Sequence, residues 1–185
     1  MKYRYLLLSI TALCLALVWG ISLGDDDDDG DGKFWKRKPG VAPVSSKMYQ
    51  QECGSCHFAY QPGLLPEQSW KKVMAGLEDH FGDNAELSPQ DNDKISNYLV
   101  ANSADKMNHR RSKKIMRSVS LSNAPLRITE IAYFKREHDE IPQRLIKDNE
   151  KVASLSHCDA CHQKADTGSF SERHIRIPGY GKWDD

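Results

Sequence analysis

"CGSCHFAY", residues 53–60, carries two cysteines separated by two residues, with a histidine directly after the second. A Cys-x-x-Cys pair by itself can hold zinc, cycle as a redox disulfide or carry a covalent haem. The choice is narrowed by "CDACH", residues 158–162, which repeats the pattern 105 residues further on. A zinc ribbon brings its two pairs within roughly 15–20 residues of each other. A thioredoxin-like dithiol sits in a βαβ alternation, which this chain does not have. A disulfide framework leaves both histidines without a reason. Covalent haem accounts for every residue: two thiols add across two vinyl groups, and the next imidazole reaches the iron from one side. The sequence is therefore read as holding two haem c groups, one on Cys53, Cys56 and His57 and one on Cys158, Cys161 and His162.

Composition agrees with a protein whose interior is partly cofactor. The chain has 185 residues, of which 39% are hydrophobic, and its mean hydropathy is −0.66. That leaves a modest core, which a buried prosthetic group would enlarge. The formal net charge is zero, with 26 basic and 26 acidic residues. It hides a segmented pattern: two basic groups lie in the first 24 residues and six aspartates in residues 25–31. From Gly32 onward 24 basic residues face 20 acidic ones. An excess of four is too small to indicate nucleic-acid binding, and haem propionates would cancel most of it.

At the N-terminus Lys2 and Arg4 precede "YLLLSITALCLALVWGISLG", an uncharged stretch that ends with small residues at Ser22 and Gly24. Residues 1–24 read as an export signal, or as a retained membrane anchor, which places the protein in the periplasm. Cys14 belongs to that apolar segment, so the mature chain keeps only the four motif cysteines. Residues 25–42 form an acidic flexible linker. Its Asp/Gly run is not a calcium loop, because the twelfth position counted from Asp25 is Lys36 and no helices flank it.

The rest of the sequence divides into a first haem unit, 43–105, and a second, 106–185, both mainly α. A helix over 44–57 delivers the first motif, and "YQPGLLP" breaks it. Trp70, Val73, Met74 and Leu77 recur at helical spacing and predict a helix from Glu67 to His80. A third begins at Ser88, an N-cap followed by Pro89, with Ile95, Tyr98 and Leu99 buried. The basic run Arg110–Arg117 marks a border between the units and offers a solvated face on which an acidic redox partner could dock. Beyond it Ile131, Phe134, His138 and Ile141 fall on one helical face. From Pro142 a new helix is expected to run into the second motif, and the tail "FSERHIRIPGYGKWDD" to strap over that site.

The sixth iron ligand separates a closed electron carrier from an open, reactive site. His80 shares the apolar stripe of its predicted helix and is the candidate for the first iron, with Met74 as its competitor. His138 is the candidate for the second, with Asp139 and Glu140 available to orient its imidazole. His174 alternates with Ile175 and Ile177 and is expected to face solvent. His109 is expected to be solvated, and His157 to have a surface or bridging role. Phe58, Tyr60 and Trp70 are expected to pack on a haem edge.

Taken together, "CGSCHFAYQPGLLP", "DHFGDNA", "EHDEIP", "CDACH" and "IRIPG" resemble, in that order, the bacterial dihaem cytochromes c, over about residues 47–179. The resemblance implies a first unit similar to class I cytochrome c and a second of different topology. It implies histidines on both faces of both irons, His57 with His80 and His162 with His138. It also implies an electron carrier of low potential, whose partners would be redox proteins such as a membrane b-type cytochrome and a small oxygen-binding monohaem c-type protein. Rival functions are a dihaem peroxidase and a haem-based gas or redox sensor, both of which need a labile distal position.

Overall fold

The computed structural model describes residues 39–183; the expectations for the signal segment and most of the acidic linker lie outside the described residues. The architecture is mainly helical, with short helices joined by 3-10 turns and one small β-hairpin. Among the described residues no helix is long and apolar enough to cross a membrane.

Helix α1 spans Lys47–Cys53, where the Ser46 side chain accepts from the Tyr49 N–H at 3.2 Å. It is shorter than the 44–57 expected: Cys53 is its last residue, and Cys56 and His57 project from the turn beyond it. Helix α2 spans Glu67–Ala75 and buries Ser69, Trp70 and Met74. The predicted helix to His80 is corrected here. Gly76 ends α2 at the low-propensity position, a 3-10 turn covers Leu77–Asp79, and His80 stands in a loop. Helix α3, Pro89–Ala101, follows the sequence closely. The Ser88 hydroxyl caps Asp91 N–H, Pro89 takes the first turn, and Ile95 and Leu99 are 1% and 0% exposed. The Asn92 side chain donates 3.1 Å to the Met74 carbonyl, tying α3 to α2.

The basic run is not a bare solvated face but helix α4, Arg110–Ser118, with Ser112 and Ile115 buried. Gly63 lets α4 approach: a Cβ there would lie 2.8 Å from the Ser112 hydroxyl, which donates 2.8 Å to the Gly63 carbonyl. One apolar cluster runs from Val41 through Leu64, Trp70, Leu99 and Ile115 to Tyr133. It thus contains residues from both sides of position 105.

Helix α5 is only Ala132–Arg136, so His138 follows the helix rather than riding on its face. The long helix expected from Pro142 does not form. A 3-10 turn at Gln143–Leu145 is followed by turns, and helix α6 is just Cys158–Cys161. Asp, Asn and Ser are frequent in 147–157 and satisfy backbone groups locally instead of supporting a helix. Asn149 and Ser154 illustrate this, their side-chain oxygens accepting from the Lys151 and Ser156 N–H groups at 3.2 Å and 3.1 Å. A second, smaller cluster gathers Ile146, Val152 and Ile177. The tail pairs as a hairpin, β1 (Arg176–Ile177) with β2 (Gly181–Lys182).

Candidate functional site

Two cavities hold the residues singled out in the sequence. The first is lined by Cys53, Cys56, His57 and His80 among apolar groups that include Trp70, Met74 and Leu77. The second is lined by Cys158, Cys161, His162 and His138 with Ile131, Ile146 and Val152. Their volumes are about 720 Å³ and about 280 Å³. Pockets for sizeable ligands run to roughly 300–1,000 Å³, so the second is the tighter.

In the first cavity the His57 ring places Nδ1 2.8 Å from the Phe58 carbonyl, an N–H donor contact that leaves Nε2 as the free lone pair. His80 lies opposite, its ring centroid 6.2 Å from that of His57 and its plane tilted by 17°. Two imidazoles on one metal, each bound at about 2 Å from opposite sides, have centroids roughly 6 Å apart. The loop carrying His80 is held locally. His80 N–H donates 2.7 Å to the Asp83 carbonyl, and Gly82 N–H donates 3.0 Å to Asp79 Oδ1. Phe81 takes φ 61°, a costly backbone for a bulky residue. Burial, then the neighbouring His57 and Arg127, lower the His80 pKa, with Asp83 opposing them. The side chain is therefore a neutral nitrogen donor at neutral pH.

In the second cavity His162 follows α6, and its N–H closes on the Cys158 carbonyl at 2.8 Å. Burial first, then His138 and Arg111, push its pKa down to about 3. Its Nδ1 is buried without a hydrogen-bond partner. His138 is positioned by Phe134 twice: Nδ1 lies 2.8 Å from the Phe134 carbonyl, and the two rings stack at 4.0 Å and 14°. The His138 and His162 centroids are 6.0 Å apart with planes at 74°. The second pair thus repeats the spacing of the first with its planes nearly crossed.

The buried thiols do not suit redox cycling. Burial pushes Cys53 to about 11 and Cys158 to about 12, and raises Cys161. A catalytic dithiol needs the opposite, a lowered thiol pKa. Among the described residues no group of three or more His, Cys, Asp or Glu side chains is arranged to hold a bare metal ion. Two thiols in the lining, a facing imidazole pair and apolar walls fit a covalently attached flat macrocycle in each cavity.

The two cavities share a wall made by Ile128, Phe134, Leu155, His157 and Cys158. His157, expected at the surface or as a bridge, is exposed and borders both, with Nδ1 2.7 Å from the Val152 carbonyl. The tail covers the second cavity through Ile175, Ile177 and Trp183. His174 departs from its expected place, since its Nδ1 is buried without a partner. His109 is half-buried, with Nδ1 2.9 Å from the Pro39 carbonyl, rather than solvated. Tyr60 and Trp70 line the first cavity, whereas Phe58 lines neither. The sequence reading missed Arg111, which reaches the second cavity from the supposedly solvated run. Its i, i+4 spacing from buried Ile115 was the available signal.

A family model described as dihaem cytochrome c matches residues 49–170. Among solved structures, the chain is 44% identical to a diheme cytochrome type c from Shewanella baltica OS155, over 75% of this chain and 97% of that one, with a TM-score of 0.62. It is 40% identical to the diheme cytochrome c from Rhodobacter sphaeroides, over 70% of this chain and all of that one, with a TM-score of 0.63. No curated protein matches it.

Proposed function

This chain belongs to the dihaem cytochrome c family, with two c-type haems and an electron-transfer role, and from that premise we propose that both irons are closed by histidine on both faces. In this reading His57 and His80 hold the first iron and His162 and His138 the second. The observation that carries it is the pair of facing imidazoles, 6.2 Å and 6.0 Å between centroids, each across an apolar cavity. When bound, the haems supply one-electron oxidation and reduction, at the low potential that two histidines favour.

The protein's part is to hold and insulate. The backbone carbonyls of Phe58 and Phe134 hold Nδ1 of His57 and His138, which leaves the other ring nitrogen of each free to hold an iron. Two histidines held by the fold on each iron would keep the coordination closed and limit reorganisation on electron transfer. The shared wall around Phe134 and Leu155 is the short route between the two centres. Electrons then leave to docked redox partners by outer-sphere transfer. The partner classes are a membrane b-type cytochrome and a small monohaem c-type protein. The site of action is the periplasm, reached through the segment 1–24 as signal or anchor, and mass spectrometry of the mature N-terminus checks that placement.

The ligation is tested on the purified holo-protein by absorption and EPR spectra before and after adding carbon monoxide. Near-parallel imidazole planes give a rhombic low-spin EPR signal and near-perpendicular planes a strongly anisotropic one. The expected result is one signal of each kind and no carbon monoxide adduct. His80→Ala should convert the rhombic signal to high spin and admit carbon monoxide at that haem alone. A carbon monoxide adduct in the unaltered protein would instead favour a peroxidase or a gas sensor.

A further inference from the structure

Arg111 is a cation without an ionic partner among the described residues, placed at a cavity wall. Its backbone is pinned, N–H donating 3.0 Å to the Gly40 carbonyl. One terminal nitrogen donates 2.7 Å to the Tyr133 hydroxyl and the other 3.3 Å to the Phe170 carbonyl. Nε is buried on the side of Gly40, where a Cβ would lie 3.2 Å from it, so the terminal nitrogens are the ones left to meet a ligand. The guanidinium carbon lies 5.7 Å from the ring centroids of both Tyr133 and Phe170. The direct acceptors are neutral, and the Glu137 carboxylate reaches the guanidinium only through the Tyr133 hydroxyl, so a half-buried cation here favours a further anion beside it.

The other charged groups lining this cavity do not supply that anion's counterpart. Arg136 also lines it, but its side chain is 61% exposed and lies 3.6 Å from Glu137. Glu137, Asp139, Glu140 and Glu172 are carboxylates and would repel another. A haem brings two propionate carboxylates, and a planar guanidinium fork matches a carboxylate in shape as well as charge.

We propose that Arg111 anchors a propionate of the haem in the second cavity and, through its fixed positive charge, raises that haem's midpoint potential. The inference rests on the reading that this cavity holds a covalently attached haem. Reduction adds an electron to the centre, so a nearby cation stabilises the reduced state and its removal moves the potential down. The haem of the first cavity lies beyond the shared wall, and Arg111 does not line that cavity.

The test uses the full holo-protein with Arg111→Met and Arg111→Lys. Pyridine haemochrome counts haems per chain, a redox titration followed by EPR gives each midpoint, and resonance Raman reads the propionate bending bands. The expected result is two haems in every variant. In Arg111→Met the centre with crossed imidazoles shifts to a more negative potential, the other is unchanged, and one propionate band moves. Arg111→Lys should recover most of the potential while leaving that band displaced, because an ammonium keeps the charge but loses the fork. Two haems with both midpoints unmoved in Arg111→Met, or both moved equally, overturns the proposal. If Arg111→Met does not fold, an Arg111→Lys band at the unaltered protein's position overturns it. A single haem per unaltered chain overturns instead the reading on which the proposal stands.

Discussion

Gly168 sits at φ +76°, and a Cβ there would lie 2.2 Å from the Val41 carbonyl oxygen. The Val41 N–H donates to the Gly168 carbonyl at 3.2 Å, so this residue joins the start of the described chain to the segment beyond the second motif. Gly168→Ala should therefore cost roughly 2–4 kcal/mol through left-handed strain and a broken contact, read as a lowered denaturation midpoint. Three phenols give a pH test at the same scale. Burial raises Tyr60 and Tyr133 to about 12 and raises Tyr49 as well. Their folded pKa values exceed the unfolded value near 10, so the native state keeps protons that the unfolded chain releases. Their contribution to stability is whole below about pH 10 and is lost as pH rises towards 12. Denaturant unfolding from pH 9 to 12 should show stability falling with pH, with tyrosinate absorbance from these three appearing late. An early, complete tyrosinate signal would contradict their burial.

At the scale of elements, local chemistry decides more where it is strongest. Ser88 both accepts from Asp91 N–H and donates 2.8 Å to Asp91 Oδ2, and Pro89 opens the first turn of the 13-residue α3. Ser88→Ala should lower stability by about 1 kcal/mol, measured by urea unfolding, while both haem spectra stay unchanged. That helix could be read residue by residue from its cap and its 3.6-residue pattern. The elements around His80 and His138 could not. Their apolar spacing suggested long helices, yet α2 ends at Ala75 and α5 at Arg136, and both histidines stand in the turns beyond. Periodicity counts which residues are buried but not how the backbone reaches them. A loop that must aim an imidazole into a cavity can bury the same residues as a helix face.

Across the whole molecule, burial is uneven. The larger cluster joins Val41 to Tyr133, while the smaller has Ile146, Val152 and Ile177 at its centre. Residues 142–157 contain a single 3-10 turn and no α-helix, so their order depends heavily on what fills the second cavity. Replacing Cys158 and Cys161 with Ala, which prevents covalent attachment there, should leave amides of α2 and α3 protected from hydrogen exchange and release those of 142–177. Equal protection in both regions would show that the small cluster suffices alone.

The haem chemistry was legible because it is written in contiguous residues: Cys-x-x-Cys-His is a local pattern, and its two copies name six of the eight proposed site residues. His80 and His138 were also legible as candidates, since a histidine among apolar neighbours needs a buried partner. Tertiary structure alone decided the remainder. It set the two imidazole pairs parallel in one cavity and crossed in the other, and it ran one wall between the cavities. It also drew Arg111 from an apparently solvated run into the second cavity. Each of these is a relation between segments far apart in the chain, fixed by which apolar surfaces pack together. No stretch of sequence contains both halves of such a relation.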